Sequence, residues 1–230
     1  MSQPSTTRTV EAQYEDCLTV DEIHGRARFG VMSNQVWHDD PKRLVFVLSR
    51  YKFVGKMLAG RKRVLEIGCA DAFGTRIVQA EVGRVTALDM DPLFIADAKD
   101  NLDPAWRINL DVHNMLDGPY PGSFDAAYSL DVLEHVDRKD ETRFLANITA
   151  SLTEQGTLII GMPSLSSQDH ASPQSKIGHI NCKNAPDLKA LMERFFHNVF
   201  IFSMNDEVVH TGFYPMSHYY FALCCGKRNR

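Results

Sequence analysis

Between residues 63 and 163 short apolar runs alternate with helical stretches, and this alternation limits the fold more than any other feature of the chain. RVLEIG (63–68), RVTALDMD (84–91), WRINLDVHN (106–114), FDAAYSLD (124–131) and TLIIGMP (157–163) read as strands. Between them lie the helices AFGTRIVQAEVG (72–83), PLFIADAKDNL (92–102) and KDETRFLANITASLTEQG (139–156), the last with Gly156 as its stop signal. Apolar strands separated by helices form a mostly parallel sheet covered on both faces, a doubly wound, Rossmann-like α/β fold. After a long connection (164–184) come the helix APDLKALMERFF and the strands VFIFSM and HYYFALCC. No helix separates those two strands, so they are expected to pair antiparallel at the sheet edge.

Residues 1–60 precede this core. Residues 1 to about 20 read as a mobile tail or loosely docked arm. Within 44–58, Leu44, Val47, Leu48, Tyr51, Val54 and Leu58 recur at three- and four-residue steps, one face of a helix that Asp39-Asp40-Pro41 would start. The expected organisation is a tail and helical extension over 1–60, a candidate lid, and one domain over 61–230. A length of 230 residues suffices for one well-filled core. The net charge of −4 sets aside a dedicated nucleic-acid binder, which presents a basic face. The run 44–58 is broken by Arg50, Lys52 and Lys56, too short and too charged to span a bilayer. Cys17, Cys69, Cys182, Cys224 and Cys225 form no CxxC pair, and an odd, scattered set implies reduced thiols. The start MSQPSTTRTV lacks the apolar core of a signal peptide. The expectation is a cytoplasmic protein with no nucleic-acid or membrane partner.

Ligands of such sheets sit outside the carboxyl ends of the strands. The loop in VLEIGCADAFG (64–74) is therefore the first place to look. A dinucleotide fingerprint wants G-x-G-x-x-G, but the glycines here fall only at Gly68 and Gly74. Glu66 and Asp71 would also set two carboxylates beside a pyrophosphate, which repels them. S-adenosylmethionine has no phosphate; it brings an ammonium, a sulfonium and one carboxylate, and suits an acidic loop. Asp89 ends the second strand 23 positions after Glu66, near the ~20-residue step at which an acidic side chain meets a ribose. Its two oxygens can accept from both ribose hydroxyls. Asp91 is read as the N-cap of the next helix.

The run VLEIGCADAFGTRIV, VTALDMDP, DVHNMLDGPYPGSFDAAYSLDVLEHV, LTEQGTLIIGMPS covers roughly residues 60–165 and resembles the core of class I S-adenosylmethionine-dependent methyltransferases. The resemblance implies a seven-stranded sheet with an antiparallel last strand, S-adenosyl-L-methionine as cofactor and S-adenosyl-L-homocysteine as product. By position it implies that Glu66, Gly68 and Ala70 line the methionine end, that Asp89 holds the ribose and that Met90 packs on the adenine. It also implies that Asn114 accepts from the adenine amino group, and that Leu130 and Asp131 flank the methionyl group. Ala70, Ala72 and Asn114 depart from the family's pattern. An alanine methyl leaves less room for backbone approach and disfavours positive φ, so an altered loop rather than lost binding is expected.

Methyl transfer is an in-line displacement in which alignment of the acceptor matters most. A hydroxyl acceptor also needs its proton removed, commonly by histidine or a carboxylate. His135 follows the fourth strand, His170 and His179 lie after the fifth, and His210 lies between the last two. In this topology all four connections reach the carboxyl edge. His135 and His179 are the candidate catalytic residues, and Glu134 is read as supporting its helix. The 13-residue connection 204–216, with Asn205, Asp206, His210 and Tyr214, is long for a hairpin and reads as an acceptor-binding loop. Trp37 and His38 are candidates for a lid over the acceptor, unless Trp37 simply anchors the extension. Tyr219 and Tyr220 are read as packing. No His/Asp/Glu set stands at metal-ligand spacing, so no metal is expected.

SLDVLEH lacks the N/D-P-P-Y/F motif with which similar enzymes grip a planar amino nitrogen, and GHINCKNAPDLKALMERFF resembles enzymes that methylate sugars, quinones or other metabolites. The expected function is methyl transfer to a small-molecule acceptor, at an oxygen of a sugar or other hydroxylated metabolite. The alternatives are a protein or amine methyltransferase and a non-catalytic S-adenosylmethionine-binding protein. An NAD-type oxidoreductase is disfavoured by the two loop carboxylates. The partner expected is the acceptor itself, with a homo-oligomer left open.

Overall fold

A computed structural model of the chain describes residues 8–228. Three helices come first: α1 (Glu15–His24), α2 (Val31–Asp39) and α3 (Pro41–Met57). The alternating part follows as β1 (Arg63–Ile67), α4 (Thr75–Gln79), β2 (Arg84–Asp89), α5 (Pro92–Asn101), β3 (Ile108–Val112), β4 (Phe124–Leu130), α6 (Glu141–Ala150) and β5 (Leu152–Pro163). The chain ends with α7 (Pro173–Gly178), α8 (Ala185–Glu193), β6 (Phe196–Asn205), β7 (Val208–His210) and β8 (Tyr219–Lys227). They form one sheet in the order β3-β2-β1-β4-β5-β8-β6-β7, parallel from β3 to β5, with β8 antiparallel to both its neighbours. The order reverses between β1 and β4, where a doubly wound sheet opens its ligand crevice.

Alternation along the strands sorts the core into two clusters. Leu65, Ile67, Ala127, Leu158, Ile160 and Met162 pack with α6 and α8. Val64, Ala126, Tyr128, Leu130 and Ile159 pack on the other face with Tyr51, Val54, Val78 and Ile95 from α3, α4 and α5. The same parity puts Glu66 on the α3 face. Caps act where the sequence marks them. The Asp40 side chain accepts from Lys42 N with Pro41 in the first turn of α3, and Asp91 does the same for Leu93 N with Pro92 in α5.

Four expectations change. Of the expected tail, residues 1–7 lie outside the described residues, while part of the remainder is helix α1, which buries no residue and whose His24 bonds Asp103 at 2.9 Å. Gly156 is not a helix stop; α6 ends at Ala150 and Gly156 lies inside β5, where pairing with β4 is irregular between Phe124 and Ala126. The sheet has eight strands rather than seven. The extra one, β7, is a three-residue strand that hairpins back on β6 and takes up part of the 204–216 loop.

The segment before α3 docks on the loop after β1. Ser33 N donates to Asp71 Oδ2 at 2.6 Å and Ser33 Oγ to Asp71 Oδ1 at 3.1 Å, while Val31 N donates to Asp97 at 2.7 Å. Phe29 meets Phe73 edge-on at 4.9 Å. A side chain at Gly30 would put its Cβ 2.3 Å from that of Asp71, so glycine is what permits the approach.

Candidate active site

The loop after β1 crosses the end of β2. Gly68 N and Cys69 N both donate to Leu88 O, at 2.8 and 2.9 Å. Gly68 has φ +78°, and a Cβ there would stand 2.2 Å from a Val132 methyl, so the backbone packs against that side chain where only glycine fits. Ala70 (φ 47°) and Ala72 (φ 55°) adopt the left-handed conformation that their methyl groups disfavour, at a cost of about 1–2 kcal/mol each. Surrounding bonds impose that shape: Asp89 Oδ2 accepts from Ala70 N and Oδ1 from Asp91 N, both at 2.9 Å. Asp89 therefore ties the loop after β1 to the loop after β2. Met90 beside it is 71% exposed, an apolar side chain open to a flat partner.

The two loop carboxylates differ from each other. Asp71 is buried and taken up by Ser33 and by Phe73 N at 3.2 Å, so it docks α2 instead of adding charge to a ligand site. Glu66 is buried and accepts from Thr75 Oγ at 2.6 Å; burial outweighs that bond and pushes its carboxyl from 4.5 up to about 7. Of the two carboxylates expected beside the ligand, Asp71 is thus taken up by the α2 contact, and Glu66 is only partly ionised at neutral pH. Because the folded pKa lies above the unfolded one, the folded chain holds the extra proton between those values. The stability from this group is fully present below pH 4.5 and is lost as pH rises through about 7. Against Glu66→Gln, wild type is expected to lose about 3 kcal/mol of urea-measured stability across that window. Parallel pH profiles of the two proteins would refute this.

Beyond Gly68 lies a group that sequence reasoning passed over. Arg50 of α3 extends its guanidinium over the Tyr219 ring (4.0 Å to the centroid) and donates through Nη1 to Asp131 Oδ2 at 2.7 Å. Its Nε and the Tyr219 hydroxyl are buried without a hydrogen-bond partner. Asp131 takes φ 57° just past β4, held by its N–H to Gly161 O at 3.0 Å. The signal was there: Arg50 falls on the stripe between Val47 and Val54, where a helix facing a core carries apolar residues. Tyr219 was read as packing alone.

The turn Leu133–His135 brings Glu134 and His135 to the same edge. Glu134 is fully buried, and neither of its carboxylate oxygens has a partner; burial and nearby Asp131 push its carboxyl well above the usual range. His135 Nδ1 bonds Gly178 O at 2.9 Å, and His179 Nδ1 bonds Gln168 Oε1 at 2.8 Å. The two rings lie 5.1 Å apart. Burial and the neighbouring His135 hold His179 below the ordinary histidine value. Glu134, His135 and His179 offer one ligand atom each, all within 4.8 Å of one another. Spacing along the chain shows no such set; the fold assembles it from residues up to 45 positions apart.

The remaining expected residues divide. Leu130 is buried at the end of β4, beside Asp131. The Asn114 side-chain carbonyl accepts from Leu116 N at 2.9 Å, a turn bond that takes up part of the capacity expected for adenine. His210 uses both ring nitrogens within its own hairpin, with Asn205 Oδ1 at 2.9 Å and Gly212 N at 3.0 Å, so its role is to shape the turn. Tyr214 is exposed and its carbonyl accepts from the Tyr220 hydroxyl at 2.7 Å. Trp37 is half exposed and packs on Phe29 at 5.5 Å, which favours the anchoring role; His38 and His170 are exposed. A cleft of about 610 Å³ lies among Arg63, Arg84, Arg107 and Trp106 at the amino ends of the strands, away from the carboxyl edge. All five cysteines are unpaired, and no described helix is long and apolar enough to cross a membrane.

S-adenosylmethionine fits the residues at the carboxyl edge. The glycine turn, the Asp89 tie, and buried polar atoms lacking partners beside an Arg–Asp pair form a polar cluster at the switch point, where such sheets bind their ligands. Residues 64–156 match the family described as "Methyltransferase domain". The ubiquinone biosynthesis O-methyltransferase of Xanthomonas campestris pv. campestris (strain B100) is 27% identical over 146 residues, covering 58% of this chain and 58% of that protein. The mitochondrial enzyme of the same name from Schizosaccharomyces pombe is 26% identical over 160 residues, covering 64% and 57%. The chain thus spans less than two thirds of the length of these relatives. In structure it is similar to the N-methyltransferase NodS from Bradyrhizobium japonicum WM9 in complex with S-adenosylhomocysteine, with a TM-score of 0.63, 18% identity and coverage of 83% of this chain and 90% of that one. That likeness is one of fold. Strand order and domain match agree: residues 64–156 match a methyltransferase domain, and the sheet that carries them is similar in fold to that of an S-adenosylhomocysteine-bound methyltransferase.

Proposed function

We propose that the chain transfers a methyl group from S-adenosylmethionine to an oxygen of a small hydroxylated acceptor. The observation that carries this reading is the Arg50–Asp131 pair beside the Gly68 turn. The amino-acid end of the cofactor is a zwitterion, and a fixed cation next to a fixed anion complements it: Asp131 for the ammonium, Arg50 for the carboxylate. Asp89 holds the ribose hydroxyls on its remaining lone pairs, Met90 lies along the adenine, and Leu130 flanks the methionyl chain. When bound, the cofactor supplies an activated methyl group on sulfur. His135 and His179 face the acceptor, with their Nδ1 atoms held by carbonyl oxygens. The proton that a hydroxyl acceptor gives up on methylation would leave to solvent or to one of these imidazoles. His38 and Tyr214 bound the acceptor side as exposed groups.

The oxygen acceptor is favoured by the O-methyltransferase relatives and by lone-pair-bearing side chains suited to hydroxyl protons. The neighbour NodS is an N-methyltransferase, so an amine acceptor is the second reading. The test is incubation of the chain and S-adenosylmethionine with a panel of sugars, catechols and amines, following S-adenosylhomocysteine release and the methylated product. Oxygen-methylated product is expected. Methylation of amines alone would favour the second reading, and cofactor binding without turnover would favour a non-catalytic protein.

A further inference from the structure

We propose that Glu134, His135 and His179 form a binding site for one divalent transition-metal cation, at the edge of the crevice where the acceptor lies. One ligand atom from each residue lies within 4.8 Å of the others. Three ligands of one tetrahedral ion, at bonds of about 2.1 Å, stand about 3.4 Å from one another. Side-chain shifts of up to about an ångström therefore close the set around an ion.

Three independent features point to a cation. First, Glu134 is fully buried and both of its oxygens lack a hydrogen-bond partner. An unpaired buried carboxylate costs several kcal/mol, and a bound cation offsets that cost. Arg50, whose charge acts on Glu134, is already paired with Asp131, and the buried Lys183 is paired with Glu141. Second, each histidine bonds an oxygen acceptor through Nδ1, Gly178 O for His135 and Gln168 Oε1 for His179. Those acceptors place the ring proton on Nδ1 and leave Nε2 as a bare lone pair, the arrangement that metal-binding imidazoles show. Third, the site is braced from outside. Asn181 N donates to Glu134 O at 2.9 Å, and Asn181 Nδ2 donates to Glu141 at 3.0 Å, which itself pairs with Lys183 at 2.7 Å. The segment bearing His179 is thus fastened to the turn bearing Glu134 and His135.

Two imidazoles and one carboxylate suit zinc or manganese better than magnesium or calcium, which favour all-oxygen sites. Three protein ligands leave positions open. Resting on the methyl-transfer reading, those positions would take an acceptor oxygen, and a cation there lowers the pKa of a coordinated hydroxyl so that its proton departs to solvent.

The test uses the untagged full chain stripped with a chelator and titrated calorimetrically with Zn²⁺ and with Mn²⁺. One ion per chain is expected for at least one of the two metals. His135→Gln, His179→Gln and Glu134→Gln are each expected to weaken binding by about tenfold or more, while His197→Gln, an exposed control on β6, leaves it unchanged. His135 is exposed, so His135→Gln is expected to fold even if Glu134→Gln does not. No stoichiometric binding to wild type, or binding unchanged in both histidine variants, would overturn the proposal. S-adenosylhomocysteine titrations of the same samples separate the two readings: metal binding without cofactor binding sinks the methyl-transfer reading alone, and the reverse sinks the metal site alone.

Discussion

Asp89→Ala is expected to weaken S-adenosylhomocysteine binding by about 30- to 100-fold, the loss of some 2–3 kcal/mol of hydrogen bonding to a charged acceptor. The carboxylate of Asp89 does two jobs. Its oxygens accept from Ala70 N and Asp91 N, and so fix both loops that enclose the ribose position; their remaining lone pairs are available to the ribose. Removing it also frees Ala70, at φ 47°, to leave its disfavoured conformation. Asp89→Asn keeps one acceptor oxygen and is expected to recover part of the affinity. The measurement is a calorimetric titration of each variant, with circular dichroism melting as the check on folding. An alanine variant that binds within twofold of wild type would remove Asp89 from the site.

Arg50→Leu is the second large effect. It leaves Asp131 without its 2.7 Å partner and removes the guanidinium from the Tyr219 ring. Breaking a buried pair from one side costs 3–5 kcal/mol in favourable cases, and the third-exposed Asp131 brings this to about 2 kcal/mol. Cofactor affinity is expected to fall about tenfold or more, because the cofactor's carboxylate loses its counter-charge. Arg50→Lys keeps the charge but neither the planar fork nor the stacking, and is expected to fall between. The double variant Arg50→Leu/Asp131→Asn separates the roles: stability is expected to recover substantially while affinity does not. Recovery of both would make the pair structural only.

Much of the fold was legible because its determinants are local. Continuous apolar runs such as VLEI and TLII announce strands buried on both faces, and Asp40-Pro41 and Asp91-Pro92 mark helix starts by the chemistry of their first turns. What was not legible depends on partners far along the chain. Nothing in TASLTEQGT states that Leu152 pairs with Phe124 and ends α6 early. Asp71 looked like a ligand-facing carboxylate until Ser33, 38 positions away, was found to donate to it twice. His210 looked available until Asn205 and Gly212 occupied both its nitrogens. Ala70 and Ala72 departed from the glycine pattern, yet the loop keeps the left-handed shape, held at Ala70 by Asp89. Arg50 was an overlooked signal rather than an absent one: a lone charge on an apolar stripe needs a partner, and Asp131 is that partner.

Titration of wild type with S-adenosylhomocysteine tests the central claim most directly. Saturable binding of one molecule per chain at micromolar affinity is expected, weakened about 30- to 100-fold in Asp89→Ala and about tenfold or more in Arg50→Leu. Absence of binding heat together with absence of any thermal shift, in a chain whose folding is confirmed, would contradict it.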